Sequence, residues 1–471
     1  MAQTEPGYSG EIKLGRAFGL GGGIALVVGS IIGMGIYALL APITANAGKA
    51  LWLAFTLAIL LSAVGVIPII QGSSAIPRAG LAYLAISRLS NPYLGSLTSL
   101  WAILGGACAT CFVCIGFAGN IAAYWTWGID QALEIKILSL LIPLLFMGLY
   151  LFKLQLANWL QIIMVILKVL ALILFIIGGF FALTQPIRLS FFSPRGLSGM
   201  VLAVILCYSA CMGFQVIAEM GEEMKNPKRN IPLAMAIGGI IVLLIYVFVG
   251  IVFSGSLPYD YEALMKMKAP LLDSARTFLP EGLVAFIGFG AFFAALTALN
   301  AGAIALPREI LSLARDDLLP SALGRVNART LTPLPAVSLY FLVVFILLCL
   351  QFIHIDLDFY GVMAAVGILL MTVISALAII NLPSRYPSLY QRAFIRIPRP
   401  WLIVLAVLTA LTSLPFVGLV LLDYENTVLI LGLLIGVTLL FSLYYVLRVN
   451  RLKKRGVNWK ERTRQITGHD E

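Results

Sequence analysis

Residues 29–36 read GSIIGMGI, inside an apolar run that extends from about Leu20 to Pro42. The run is long enough to cross a bilayer, which takes about 20 residues. Glycine weakens a helix, and hydrocarbon offers no water to the backbone groups that a broken helix frees. Gly29, Gly33 and Gly35 therefore need a reason. One is a close-packing face, since Gly29 and Gly33 are four residues apart, as are Ser30 and Met34. The other is a deliberate break, which survives at membrane depth only where protein or a water-filled cavity covers it.

The composition makes the membrane setting plain. Of 471 residues, 61% are hydrophobic and 11% charged, against about 25% charged in a soluble domain. The first 19 residues are polar and charged, and the run that follows is too long for a signal core. The first segment is thus expected to remain as a membrane span. Twelve candidate spans follow along the chain. They cover 20–44, 49–71, 94–127, 135–152, 158–182, 196–220, 232–256, 282–306, 334–353, 358–381, 400–422 and 426–447. The architecture expected is an all-α integral membrane protein with twelve transmembrane helices.

With both termini in the cytoplasm, the outer segments hold only Lys49, Lys136, Arg188, Arg195, Lys266, Lys268 and Arg276 of the 32 basic residues. Lys168 lies within a span, and the rest fall on inner segments and on the tail 448–471. This is the positive-inside pattern of a multi-pass plasma (cell inner) membrane protein. It accounts for the net charge of +11 without a nucleic-acid partner. The basic tail is expected near anionic lipid headgroups.

A second interruption occurs in the sixth span, where CYSACMGFQVIAEMGEE (207–223) places Ser209, Ala210 and Gly213 at mid-depth. Breaks at corresponding positions of two halves point to a transporter site. An unwound helix offers free N–H groups to an anion and free C=O groups to a cation. An α-amino acid carries a carboxylate and an ammonium on one carbon, so a single break can hold both.

These residues resemble the amino acid–polyamine–organocation (APC) permeases. GSIIGMGIY is similar to their first-span motif, PRAGLAY (77–83) to their first inner loop, GFQVIAEMGEEMKNPKRNIPLA (213–234) to their sixth-span exit, and LPREILSLARDDLLP (306–320) to their eighth-span exit. The resemblance implies the leucine-transporter-type fold. A ten-helix transport core, 20–381, would comprise inverted five-helix repeats at about 20–182 and 196–381 with helices 1 and 6 broken. Two additional helices (382–447) would follow, between a cytoplasmic N-terminal segment (1–19) and the tail. It implies that the substrate carboxylate meets backbone N–H groups at Gly33, Met34, Gly35 and Ile36. The ammonium would meet carbonyls of Ile31, Ser209, Ala210 and Met212 beside Gly213. Met34 stands where the family has Ser or Ala, and Cys211 where many members have an aromatic.

Lys168 lies about 15 Å from the end of the fifth span at 1.5 Å per residue, too deep to snorkel. It must face the protein interior or lose its charge. Its position resembles the fifth-span lysine of the family, which braces the first span against the eighth. Two roles stay open: a proton carrier for symport, or a fixed brace in an exchanger.

The resemblance places Cys111, Met212, Phe214 and Asn300 around the substrate side chain. No carboxylate lies at mid-depth. Glu219, Glu222 and Glu223 cluster at the cytoplasmic end of the sixth span. A buried cation calls for a countercharge, so a neutral, aliphatic or small amino acid is favoured. A cationic amino acid or polyamine permease or antiporter is the alternative, since carbonyls and aromatic faces also hold cations. A non-transporting amino acid sensor on the same scaffold is the second. Arg78, Glu222, Glu223, Arg308 and Arg315 at inner span ends are candidate gate residues, with a solvated basic fringe as the competing reading. KNPKRNIP (225–232) reads as a tight inner turn. The run CATCFVC (108–114) lacks the fourth thiolate and polar shell of a cluster site, so no metal or cofactor is expected. The histidines, His354 and His469, pair with no membrane acid cluster that could form an enzyme site.

Overall fold

Among the described residues, twelve helices are long and apolar enough to cross a membrane, and no strand forms beyond two isolated bridges. The structure is a computed structural model that describes residues 14–463 apart from 125–127, 151–153, 183–188, 268, 354 and 424–426. The expectations placed on 1–13, 464–471, Arg188, Lys268 and His354 lie outside the described residues.

Span 1 is divided. A helix over Leu20–Ile31 stops, and short helices over Gly35–Ala38 and Leu40–Ala47 continue the crossing. Gly48, at φ 57°, closes that segment before span 2, Leu51–Ala75. Spans 3, 4 and 5 are Pro92–Tyr124, Gln131–Leu149 and Leu154–Ala182. Span 6 is divided like span 1: Gly196–Ala210 ends, and a 3₁₀ turn over Phe214–Glu219 continues the crossing. Spans 7 to 10 are Pro227–Ser256, Glu281–Arg315, Leu334–Cys349 and Leu357–Ile379, and spans 11 and 12 are Arg399–Asp423 and Thr427–Lys454.

Two boundaries differ from the sequence reading. The tight turn expected over 225–232 is instead a left-handed Asn226 (φ 47°) followed by the first turns of span 7. Asn tolerates that conformation, and Pro227 suits a helix start because its missing N–H would have no partner there. Span 8 runs nine residues past 306, despite Pro307, so that 308–315 form an inner helical arm.

The packing sets centre and rim. Span 10 has 72% of its apolar window buried and span 12 only 6%, so span 10 lies at the centre of the packing and span 12 at its rim, while span 11 packs on spans 10 and 2. Span 1 packs against spans 5, 7 and 8, and span 6 against span 2. Span 3 packs on span 10, span 5 on span 8, span 2 on span 7, span 3 on span 4, and span 8 on span 9.

Candidate functional site

The two broken spans touch at their breaks. Gly213 adopts φ 133°, open to glycine and strained for other residues. A Cβ there would lie 2.7 Å from the Ser30 carbonyl oxygen. The Ser30 hydroxyl donates across the crossing to Gly213 O at 2.9 Å. Gly35 packs on span 6, where its Cβ would stand 3.1 Å from Ala210 Cα.

At the span 1 break, Ile32 leaves the helix at ψ 77° and Gly33 N–H folds back to Ile31 O at 2.8 Å. The second half then starts from Met34. Its carbonyl accepts from Tyr37 and Ala38, while the N–H groups of Met34, Gly35 and Ile36 have no acceptor among the described residues. Free donors at a helix start attract an anion. Gly33, Met34 and Gly35 are partly accessible, as are Ser209, Met212 and Gly213.

The carbonyls that end Leu20–Ile31 and Gly196–Ala210 share a partner that the sequence reading missed. Tyr246, fully buried on span 7, places its hydroxyl 3.1 Å from both Ile31 O and Ala210 O. One phenol thus ties the carbonyl end of the first break to that of the second. Its sequence signal was a lone tyrosine in an apolar span, since a buried phenol needs a partner for its hydroxyl.

Lys168 sits behind the break. Its Nζ donates to Gly29 O (3.1 Å), Ile32 O (2.5 Å) and Thr297 Oγ1 (2.7 Å). The side chain is fully buried. It joins span 1 to span 8, and its three acceptors equal the three donors of an ammonium. Gln161, two turns earlier on span 5, fills the notch at Gly29, where a Cβ would lie 2.1 Å from Gln161 Nε2. Gln161 Oε1 accepts from Asn300 Nδ2 at 2.9 Å, and the Tyr150 hydroxyl donates to Asn300 Oδ1 at 2.9 Å. Asn158, Gln161 and Lys168 follow helical spacing on span 5, a polar stripe in an apolar run that could have been read from the sequence.

Ion pairs join the segment after span 6 to the C-terminal arm of span 8. Arg308 Nη2 meets Glu223 Oε1 at 2.6 Å with both side chains wholly buried, and Arg315 Nη1 meets Glu222 at 2.8 and 3.0 Å. Burial pushes the Glu223 carboxyl up from its ordinary range, and the Arg308 guanidinium pulls it back. Arg88 pairs with Asp316, which also accepts from the Tyr83 hydroxyl at 2.7 Å. Arg78 lies on the loop that crosses Gly221. Phe18, just before span 1, exchanges backbone bonds with Glu223 and Lys225. The buried pair of Arg308 and Glu223 is not a solvated fringe.

The amino acid permease family model matches residues 18–440. The chain belongs to the amino acid permease family. Among its relatives, this permease is 30% identical to the branched-chain amino acid permease BcaP of Lactococcus lactis subsp. cremoris, over 65% of this chain and 70% of that protein. It is 25% identical to BcaP of Bacillus subtilis, over 82% and 84% of the two chains. It is 28% identical to cationic amino acid transporter 3, mitochondrial, of Arabidopsis thaliana, over 66% of this chain; the match spans 54% of the plant protein's length. The family is one of multi-pass membrane transporters, not enzymes.

Of the residues expected around the substrate, the structure brings Ile31, Gly33, Met34, Gly35, Ile36, Ser209, Ala210, Met212 and Gly213 to the crossing. It places three side chains of the expected pocket elsewhere. Cys111 is buried with its thiol 3.5 Å from Val344 O on span 9. The Phe214 ring packs over Gly239 of span 7. The Asn300 amide is held by Gln161 and Tyr150. Helix rotation and local partners decide these directions, and a motif does not encode them. Met212 and Met34 remain partly accessible, and Ala298 is the nearest neighbour of a Cβ added at Gly33.

Proposed function

We propose that this permease is a secondary transporter that moves a neutral amino acid across the cell membrane by alternating access. The observation that carries the reading is the crossing itself. The N–H groups of Met34, Gly35 and Ile36 have no acceptor among the described residues, and Gly35 packs on Ala210 of the second break, next to partly accessible Ser209, Met212 and Gly213. The free donors suit a carboxylate, and carbonyls at the ends of Leu20–Ile31 and Gly196–Ala210 suit an ammonium. The buried pairs at the inner span ends support a state closed to the cytoplasm.

Three of the span contacts support the inverted repeat, while those of span 1 with spans 5 and 8 have no counterpart of similar extent at span 6. Exchanging each of spans 1–5 with the span five places later turns the 3–10 contact into 8–5, 1–7 into 6–2, and 3–4 into 8–9, and all of these pairs pack. An odd number of spans per repeat inverts the second half. The basic residues of the inner ends and of the described tail support cytoplasmic termini.

Lys168 is read as a fixed brace, because all three of its ammonium donors have acceptors. The neutral substrate class rests on the absence of any carboxylate at the crossing among the described residues, and the relatives named as branched-chain permeases agree with it. Proteoliposome uptake tests the reading: labelled leucine, isoleucine, valine or alanine should enter saturably and exchange with unlabelled substrate. Uptake of arginine, lysine or diamines alone would replace the neutral class, and binding without flux would favour a sensor.

A further inference from the structure

One cluster of titratable side chains in the cytoplasmic layer is left unused by the ion pairs. Glu219 ends the inner half of span 6, and Glu309 follows Arg308 on span 8; they are 5% and 1% exposed. Both carboxyl groups lie at the first turn of the inner helix Leu81–Leu89. Ala82 N–H is 3.3 and 3.4 Å from the two Glu219 oxygens, and Tyr83 N–H is 3.3 Å from Glu309 Oε1. Bonded to adjacent N–H groups of one helical turn, the two buried carboxyl groups lie side by side. Glu309 Oε2, fully buried, has no protein donor. Two ionised carboxylates cannot share such a contact, and one proton both removes the repulsion and supplies the missing donor.

The nearby charges have their own partners. Arg308 holds Glu223, Arg315 holds Glu222, and Arg88 holds Asp316 with Tyr83. Arg78 lies on the loop between span 2 and the inner helix. Spans 2, 3 and 10, which pack around that helix, bring no charged side chain to this layer, since Asp358 is at the far end of span 10. Neither Glu219 nor Glu309 forms an ion pair with them.

We propose that Glu219 and Glu309 form a proton-binding site of the cytoplasmic gate, holding one shared proton while the gate is closed and releasing it when the gate opens. The site rests on the alternating-access reading. The two residues belong to different elements, the exit of span 6 and the arm of span 8. Opening must part Glu223 from Arg308 and Glu222 from Arg315, and the same movement parts Glu219 from Glu309. Once apart and hydrated, neither carboxylate needs the shared proton, and it goes to the cytoplasm. The closed state binds one more proton than the open state. The closed-to-open ratio therefore falls as pH rises, by at most about tenfold per pH unit. An acidified cytoplasm holds the carrier closed on that side.

The test uses full-length protein in nanodiscs with nitroxide labels on Arg16→Cys and Arg325→Cys, both exposed positions, in a Cys349→Ser background. Double electron–electron resonance then reports the gate distance. In the otherwise wild-type protein, the long-distance population should rise from about pH 5 to pH 8 with the slope of one proton. Glu219→Gln and Glu309→Gln each substitute an amide donor for the shared proton, and their distance distributions should be flat with pH while still responding to substrate. A flat wild-type profile overturns the site. A slope that persists in both variants also overturns it and assigns the titration to Glu223 beside Arg308. Should the variants fail to fold, infrared spectroscopy of the wild type decides: a protonated-carboxyl band at neutral pH that vanishes on opening supports the site, and its absence overturns it. A distance that ignores substrate in every protein sinks the alternating-access reading. A distance that follows substrate and ignores pH sinks the proton site alone.

Discussion

The three glycines of GSIIGMGI do different work. Gly29 is a notch for Gln161, where an added methyl carbon would sit 2.1 Å from an amide nitrogen. Gly35 lets the breaks approach, and Gly33 has room, with only Ala298 at 3.7 Å. Gly29→Ala should destabilise the protein by about 1–3 kcal/mol, the usual cost of overpacking, read as a fall in the melting temperature. Gly33→Ala should keep the wild-type melting temperature and raise the KM for substrate, because its methyl group enters the partly accessible crossing. An unchanged KM would place the substrate elsewhere. Lys168→Met removes the donor of three buried acceptors, and transport should be lost. Lys168→Arg should not restore it, because a planar fork does not match the three acceptors that surround Nζ.

At the scale of elements, span 7 ties span 1 to span 6 through Tyr246, and span 5 ties span 1 to span 8 through Lys168. Tyr246→Phe leaves Ile31 O and Ala210 O without their shared donor, at a cost of about 0.5–1.5 kcal/mol for a hydrogen bond. Uptake should slow while the amount of folded protein is retained. The gate allows a sharper comparison. Arg308→Leu alone leaves Glu223 buried and unpaired, which costs roughly 3–5 kcal/mol, and the label distance across the gate should lengthen. Arg308→Leu combined with Glu223→Leu should return toward the closed distance, since apolar replacement of a whole buried pair is often neutral. If the double variant stays as open as the single one, the pair is not what closes this side.

For the whole molecule, composition and hydropathy made the twelve spans legible, because crossing hydrocarbon imposes length and apolarity on every segment. The breaks were legible as glycine and small residues where a continuous helix would avoid them. The start of span 7 and the end of span 8 were not: the polar stretches 227–231 and 307–315 look like loops, yet the first winds as helix from Pro227 and the second does so with Arg308 and Arg315 paired to Glu223 and Glu222. Side-chain directions at the crossing were also hidden. Cys111, Phe214 and Asn300 turn toward spans 9, 7 and 5 through contacts between segments far apart in sequence, while Tyr246 and Gln161 enter from spans that showed no break. The proposed site holds its substrate by backbone, with the carboxylate as the essential handle. Equilibrium binding of a transported amino acid, its methyl ester and the amine lacking the carboxylate measures this directly. The account expects the free acid to bind at least about tenfold more tightly than either analogue, a difference of about 1.4 kcal/mol. Equal affinity for the amine would contradict it.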